Sequence, residues 1–313
     1  MIQIFTMKNC ILLFLLISFT TASGQQKTIQ ERLGYPKETK LLIIHADDLG
    51  VSHSENMASI HAMEKGVVSS ASIMVPCPWF PEIAAYAKSH PDADLGLHLT
   101  LTSEWKLYKW GPVTPHDKVS SLLDERGYLN ETTGAFLKKA KPEDVEKELR
   151  SQIERAKQFG IDPTHFDGHM AAPISSPDFL QILLKLGREY KVPVHVGKQF
   201  SQLFGFDFGK YITEKDIDVD RTIMASGADY KKGLDNFYTE QLKSLQPGLN
   251  VLLLHAAYDN EEMQAVTVQY VDFGATWRQH DVNFFTSEKC KKLLADEKIK
   301  VITWREIRDK VIR

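Results

Sequence analysis

Cysteine is scarce, with only Cys10, Cys77 and Cys290 in 313 residues. Such a count excludes a disulfide-built scaffold and leaves at most one bridge, Cys77 to Cys290, beyond the N-terminal segment. There is no Gly/Ser linker, low-complexity block or internal repeat, so nothing divides the chain from residue 25 to 313. Strong charge is also missing. The formal net charge is -3, which gives no basic surface for nucleic acid and no attraction to an anionic membrane. No glycine-rich phosphate loop follows the first apolar run. The turn Asp47-Asp48-Leu49-Gly50 stands in its place.

The one long apolar run lies at the start. Lys8 precedes Ile11–Phe19, and the small residues Thr20, Thr21, Ala22, Ser23 and Gly24 follow. This order reads as a secretory signal over residues 1–24, cut after Gly24. The run is short for a membrane span. The expectation is export to a periplasm or the exterior with no stable membrane anchor, against the alternative of an uncleaved anchor. Cys10 precedes the apolar core and is not placed as a lipidation site.

Short apolar runs then alternate with helical patterns. The expected strands are 40–46, 71–75, 94–100, 165–169, 192–196, 221–224, 250–255 and 300–303. The expected helices are 55–65, 80–89, 142–159, 176–190, 239–244 and 287–297. Leu149, Ile153, Ala156 and Phe159 recur at helical spacing, and Pro142 with Glu143 and Asp144 suits a helix start. Buried strands separated by helices indicate a parallel sheet covered on both faces. Eight of them fit an α/β fold of the irregular (β/α) barrel type, TIM-barrel-like; an open doubly wound sheet is the alternative. Residues 104–137 fit neither pattern and read as an excursion near one end.

Four expected strands finish in Asp or His. The first runs from Leu41 into Asp47 and Asp48, the third carries His98, the fourth ends His165-Phe166-Asp167-Gly168-His169, and the seventh ends at His255. Singly, each has a plain reading as a helix cap or a satisfied core histidine. Together they mark one end of the sheet, where α/β proteins build their sites. A carboxylate with two imidazoles makes a metal site that leaves room for water and substrate. A second carboxylate can take a proton from that water, and a histidine opposite can return one.

In this order the motifs resemble the YdjC-like (ChbG/HpnK) carbohydrate deacetylase family. They are Ala46-Asp47-Asp48-Leu49-Gly50, Asn56, the run Gly66–Val75, Gly96-Leu97-His98-Leu99 and Thr164–His169. The resemblance implies a barrel related to polysaccharide deacetylases and an amide hydrolase that removes acetyl from an N-acetylated sugar or oligosaccharide. It implies one divalent metal on Asp48, His98 and His169, with zinc the natural ion and magnesium, manganese, cobalt or nickel open. Asp47 carries over as base and His255 as acid. The chain departs from the family pattern at Ala171, where a second histidine is common, and at Ala256-Ala257 after His255.

Asp167 and Arg278 are the candidates for substrate contact; Asp167 could instead pair with a histidine, and Arg278 with Asp281, on a possible helix start after the seventh strand, could orient the base. Their plainer readings are a strand-end hydrogen bond for Asp167 and, with Asp281, a solvated surface pair for Arg278. His165 reads as core. His45 is expected to point away from the site. Trp79, Trp105 and Trp110 are candidates for stacking on sugar, with packing the plainer role for each. The rival functions are a sugar O-acetyl esterase, a phosphoesterase, and an exported glycan-binding protein without activity.

Overall fold

A computed structural model describes residues 27–313; the expected signal segment lies outside the described residues. Among the described residues seven strands form one parallel sheet: β1 Lys40–Leu49, β2 Ser70–Ile73, β3 Leu95–Leu99, β4 Phe166–Gly168, β5 Arg221–Ile223, β6 Gly248–Leu254 and β7 Lys300–Val301. The order runs β4-β3-β2-β1-β6-β5, and β7 also pairs with β1. β7 takes the lower part of that edge at Leu41 and Leu42, while β2 takes the upper part from His45 onward. Single parallel bridges, Phe166 to Val194 and Val196 to Asp218, carry the ladder from β4 round towards β5. The barrel therefore closes irregularly, through extended chain, and the expected strand 192–196 is reduced to these bridges.

The strands read as near-continuous apolar runs because helices cover them. β1 is buried from Leu41 to Leu49. The helix Pro142–Gln158 lays Val145, Leu149, Ile153 and Ala156 against the sheet, each fully buried. Burying one such Leu or Ile contributes about 1.5–3 kcal/mol. The expected stripe stops at Ala156. Phe159 is the C-cap residue of that helix and is 42% exposed. The helix His53–Glu64 starts where the Ser52 hydroxyl accepts from Glu55 N–H at 3.0 Å.

The excursion after Glu104 contains two single 3-10 turns and the helix Thr133–Lys139. It is pinned to the barrel by buried Trp105, Trp110, Leu122, Leu129 and Phe136. The possible helix start at Arg278 and Asp281 is part of the helix Ala275–Phe285, which begins at Ala275. Cys77 and Cys290 are both buried and free, so the possible bridge is not formed. Among the described residues no helix is long and apolar enough to cross a membrane.

Candidate active site

β1 does not end in a turn at Ala46; it continues to Leu49. Its pairing with β2 shifts register between Ala46 and Leu49, and Asp48 takes a left-handed φ of 70°. In a regular strand Asp47 and Asp48 would face opposite sides. The irregularity re-aims them, as bulges do beside active sites: Asp48 reaches His98 of β3 and His169 just after β4, and Asp47 comes within 4.0 Å of His98. A left-handed aspartate costs energy, on the order of 1–3 kcal/mol. Here the flanking ladders hold it in place.

Asp48, His98 and His169 converge. Asp48 Oδ1 lies 3.4 Å from His98 Nε2 and 3.3 Å from His169 Nδ1. That oxygen is buried and has no hydrogen-bond partner. An unpaired buried carboxylate oxygen is costly unless something fills the space before it. Ligand atoms sharing a tetrahedral zinc sit about 3.3 Å apart for bonds of about 2.0 Å, so the donor set and its spacing fit a divalent cation. Both histidines are braced from behind: His98 Nδ1 meets Asp167 Oδ1 at 2.8 Å, and His169 Nε2 meets Glu104 Oε2 at 2.8 Å. Carboxylates behind ligating imidazoles are the usual support of metal sites.

The electrostatics fit the same reading. Glu55, Asp48 and Glu104 gather near Arg278, and Asp167 and Asp47 gather near His98. Burial pushes His169 down, but Glu104 and Asp48 outweigh it and raise it to about 9. Burial likewise opposes charge on His98, and Asp167 with Asp47 carries it well above the ordinary histidine range. The cluster thus attracts positive charge. Burial also works against ionised Asp48, but Arg278, His169 and His98 hold it well below the usual carboxylate range.

Asp47 stands beside this seat and is 5% exposed. Its Oδ1 lies 3.0 Å from His45 Nε2, and its Oδ2 lies 3.9 Å from His255 Nε2. Burial pushes Asp47 up, while His98 and His45 bring it below its ordinary value, so it is ionised. His255 follows the end of β6, with its backbone N–H donating to Asp281 Oδ2 at 3.0 Å. Burial is the main cause that takes His255 down to about 4, and it is neutral at neutral pH.

Two expectations require correction. His45 does not point away: its Nε2 bridges Asp47 and Asp167 at 3.0 Å each, with Ser72 Oγ at 3.1 Å. His45 and Asp47 are two residues apart on β1 and so share one face of the strand. Arg278 and Asp281 are not a solvated pair, since both are buried in the helix Ala275–Phe285. Arg278 spends its donors inside the protein, on Asp48 Oδ2 at 2.9 Å, on Glu55 and on the Phe273 carbonyl at 2.7 Å. Asp281 accepts the Tyr238 hydroxyl at 2.6 Å. Asp167 is 3% exposed and pairs with His98 and His45, in keeping with the reading that it pairs with a histidine.

His165 lies in the core as expected, stacked on Trp304 at 5.2 Å. It fits only because position 96 is glycine: a Cβ there would stand 2.2 Å from the His165 ring. Trp105 and Trp110 are buried packing residues, and Trp79 is 38% exposed. Sequence reasoning missed Glu104. The signal available was its place five residues past the last residue of β3, where chain leaving a strand returns over the site.

The family model for YdjC-like protein matches residues 41–296. A Thermus thermophilus protein named carbohydrate deacetylase is 31% identical over 286 residues, covering 89% of this chain and 97% of that one. A Brevibacillus brevis protein of the same name is 30% identical, covering 85% and 99%. The crystal structure of an Enterococcus faecalis protein, named for a proposed role in cellobiose-phosphate cleavage, superposes with a TM-score of 0.70 at 24% identity. That match covers 86% of this chain and 99% of the other, and it shows the shared fold. With the barrel, the ordered motifs and this coverage together, the chain belongs to the YdjC-like protein family.

Proposed function

We propose that the protein is a metal-dependent carbohydrate deacetylase that hydrolyses the N-acetyl group of an amino sugar or oligosaccharide. The observation that carries the proposal is the unpaired, buried Asp48 Oδ1 facing His98 Nε2 and His169 Nδ1, with ionised Asp47 alongside. The deacetylase relatives supply the substrate class. Asp48, His98 and His169 hold one divalent cation, zinc by the N/O character of the set. When bound, the cation supplies Lewis acidity to an acyl carbonyl and to water.

The protein's own groups move the protons. Asp47 Oδ2 takes a proton from the attacking water as the new C–O bond forms. His255 Nε2, 3.9 Å from that oxygen, stands across the reacting space. His255 is neutral at rest, so the proton it delivers is the one Asp47 has removed from water. The C–N bond breaks as that proton reaches the leaving nitrogen, giving acetate and a free amine. Arg278, itself paired with Glu55, keeps Asp48 in place, while Asp167 braces His98 and is joined through His45 to Asp47. Nothing in this scheme requires Arg278 or Asp167 to touch substrate.

Export of a mature chain starting at Gln25 is part of the proposal, supported by the pattern of residues 1–24. It directs the enzyme to an extracytoplasmic glycan fragment. The test is acetate release from N-acetylated mono- and oligosaccharides by protein loaded in turn with zinc, magnesium, manganese, cobalt and nickel. Release that stops with a chelator and returns with one equivalent of metal is expected. Release untouched by chelation overturns the metal reading. Hydrolysis of O-acetyl sugars alone overturns the amide assignment.

A further inference from the structure

Glu104 lies in the turn that leaves β3, outside every strand-end pattern. Its side chain is 13% exposed, and its Oε2 is 2.8 Å from His169 Nε2. A carboxylate at that distance takes the N–H of a neutral imidazole and so decides which nitrogen keeps its lone pair. For His169 the lone pair is left on Nδ1, which faces Asp48 Oδ1 at 3.3 Å. His98 is turned the other way. Asp167 holds its Nδ1, and its Nε2 faces the same oxygen at 3.4 Å. The two imidazoles therefore approach one carboxylate oxygen through different nitrogens, each selected by its own carboxylate.

Glu104 is itself fixed. The Tyr270 hydroxyl donates to the Glu104 carbonyl at 2.9 Å. The Tyr270 ring meets Trp105 edge-on at 4.9 Å, and the Arg278 guanidinium lies over Trp105 at 5.4 Å. Lys106 meets Gln269 next door. The exposed segment around Tyr270 thus clamps the turn that carries Glu104.

We infer that Glu104 is a positioning residue of the metal seat, fixing His169 as an Nδ1 ligand, and that Tyr270 at the rim holds Glu104 in register. This rests on the metal reading of Asp48, His98 and His169. It predicts mixed ligation, His98 through Nε2 and His169 through Nδ1. It also makes cation affinity depend on a residue at the exposed rim.

The experiment is zinc titration by calorimetry on wild type, Glu104→Ala, Glu104→Gln and Tyr270→Phe, with nitrogen NMR of the histidine rings in the zinc-loaded wild type. Glu104→Ala is expected to bind zinc about 10–100-fold more weakly, the range for losing such a support. Glu104→Gln keeps an acceptor oxygen and should fall between it and wild type. Tyr270→Phe should weaken binding by up to about tenfold, the net worth of one hydrogen bond. The His169 ring should carry its proton on Nε2. Unchanged affinity in Glu104→Ala, with metal-free thermal unfolding shifted instead, overturns the inference and leaves Glu104 a packing residue. A His169 proton on Nδ1 overturns it as well, and that measurement decides the matter even if Glu104→Ala does not fold. Wild type that takes up no divalent cation overturns the metal reading itself and this inference with it.

Discussion

At its lower end β1 presents Leu41 and Ile43 to an apolar floor of Ile217, Val219, Leu249, Val251, Ile302 and Trp304, none more than 2% exposed. Four residues beyond Ile43, the same strand presents Asp47 and Asp48 to imidazoles and further carboxylates at equal depth. The floor is apolar apart from the buried, unpaired indole Nε1 of Trp304. The upper end breaks several rules for a stable core: a left-handed aspartate, an unpaired carboxylate oxygen, and burial that drives Glu55 well above the usual carboxylate range against the pull of Arg278. Barrel proteins characteristically separate stability and chemistry in this way, at opposite ends of the same strands. The floor supplies the rigidity that lets strained groups persist above it.

That division is testable by substitution at each end. The largest effect is expected from Asp47→Asn, which removes the base while keeping its shape. Acetate release should fall about 10²–10⁴-fold, the range for a general base, with the fold retained by circular dichroism. A small change would move the base elsewhere. Next comes Arg278→Met, which leaves Asp48 and Glu55 buried without their cation. Urea unfolding of the metal-free protein should show a loss of about 3–5 kcal/mol. Adding zinc should recover part of it, because the cation compensates Asp48.

At the floor, Leu41→Ala should cost about 2–5 kcal/mol of stability and leave kcat per folded molecule unchanged at low temperature. If it lowers kcat as much as it lowers stability, the two ends are not independent. The smallest effect concerns Asp281, which burial raises to about 7. Between its unfolded value near 4 and about 7, the folded chain holds a proton that the unfolded chain releases. Stability from this group is therefore complete below that window and is lost as pH rises through it. In Asp281→Asn the amide oxygen can accept His255 N–H while the amide NH2 donates to Tyr238 Oη. Relative to wild type, the variant should gain about 2 kcal/mol between pH 5 and pH 8, read as the difference in urea midpoints.

The sequence made the barrel and the gathering of Asp47, Asp48, His98, His169 and His255 legible, because residue type at the ends of apolar runs survives without coordinates. What it concealed has physical causes. The helix Ala275–Phe285 buries Ala275, Trp277, Arg278, Asp281, Val282, Phe284 and Phe285 on several faces. A helix start was readable there, but with no single apolar stripe the sequence did not show which face is buried, and Arg278 was misplaced at the surface. His45 was expected to point away from the site, yet it lies two residues before Asp47, and the period of two in a strand puts the pair on one face. Glu104 comes from irregular chain, where position in sequence carries no period to read.

The central claim is that Asp48, His98 and His169 seat a cation for which Asp47 serves as base toward an N-acetyl group. Its most direct test is acetate release from an N-acetylated oligosaccharide by zinc-loaded wild type and zinc-loaded Asp47→Asn, assayed side by side at equal metal content. The account predicts turnover by the wild type and a loss of about 10²–10⁴-fold in the variant. Equal rates from the two proteins, or no release from the loaded wild type on any N-acetylated sugar, would contradict it.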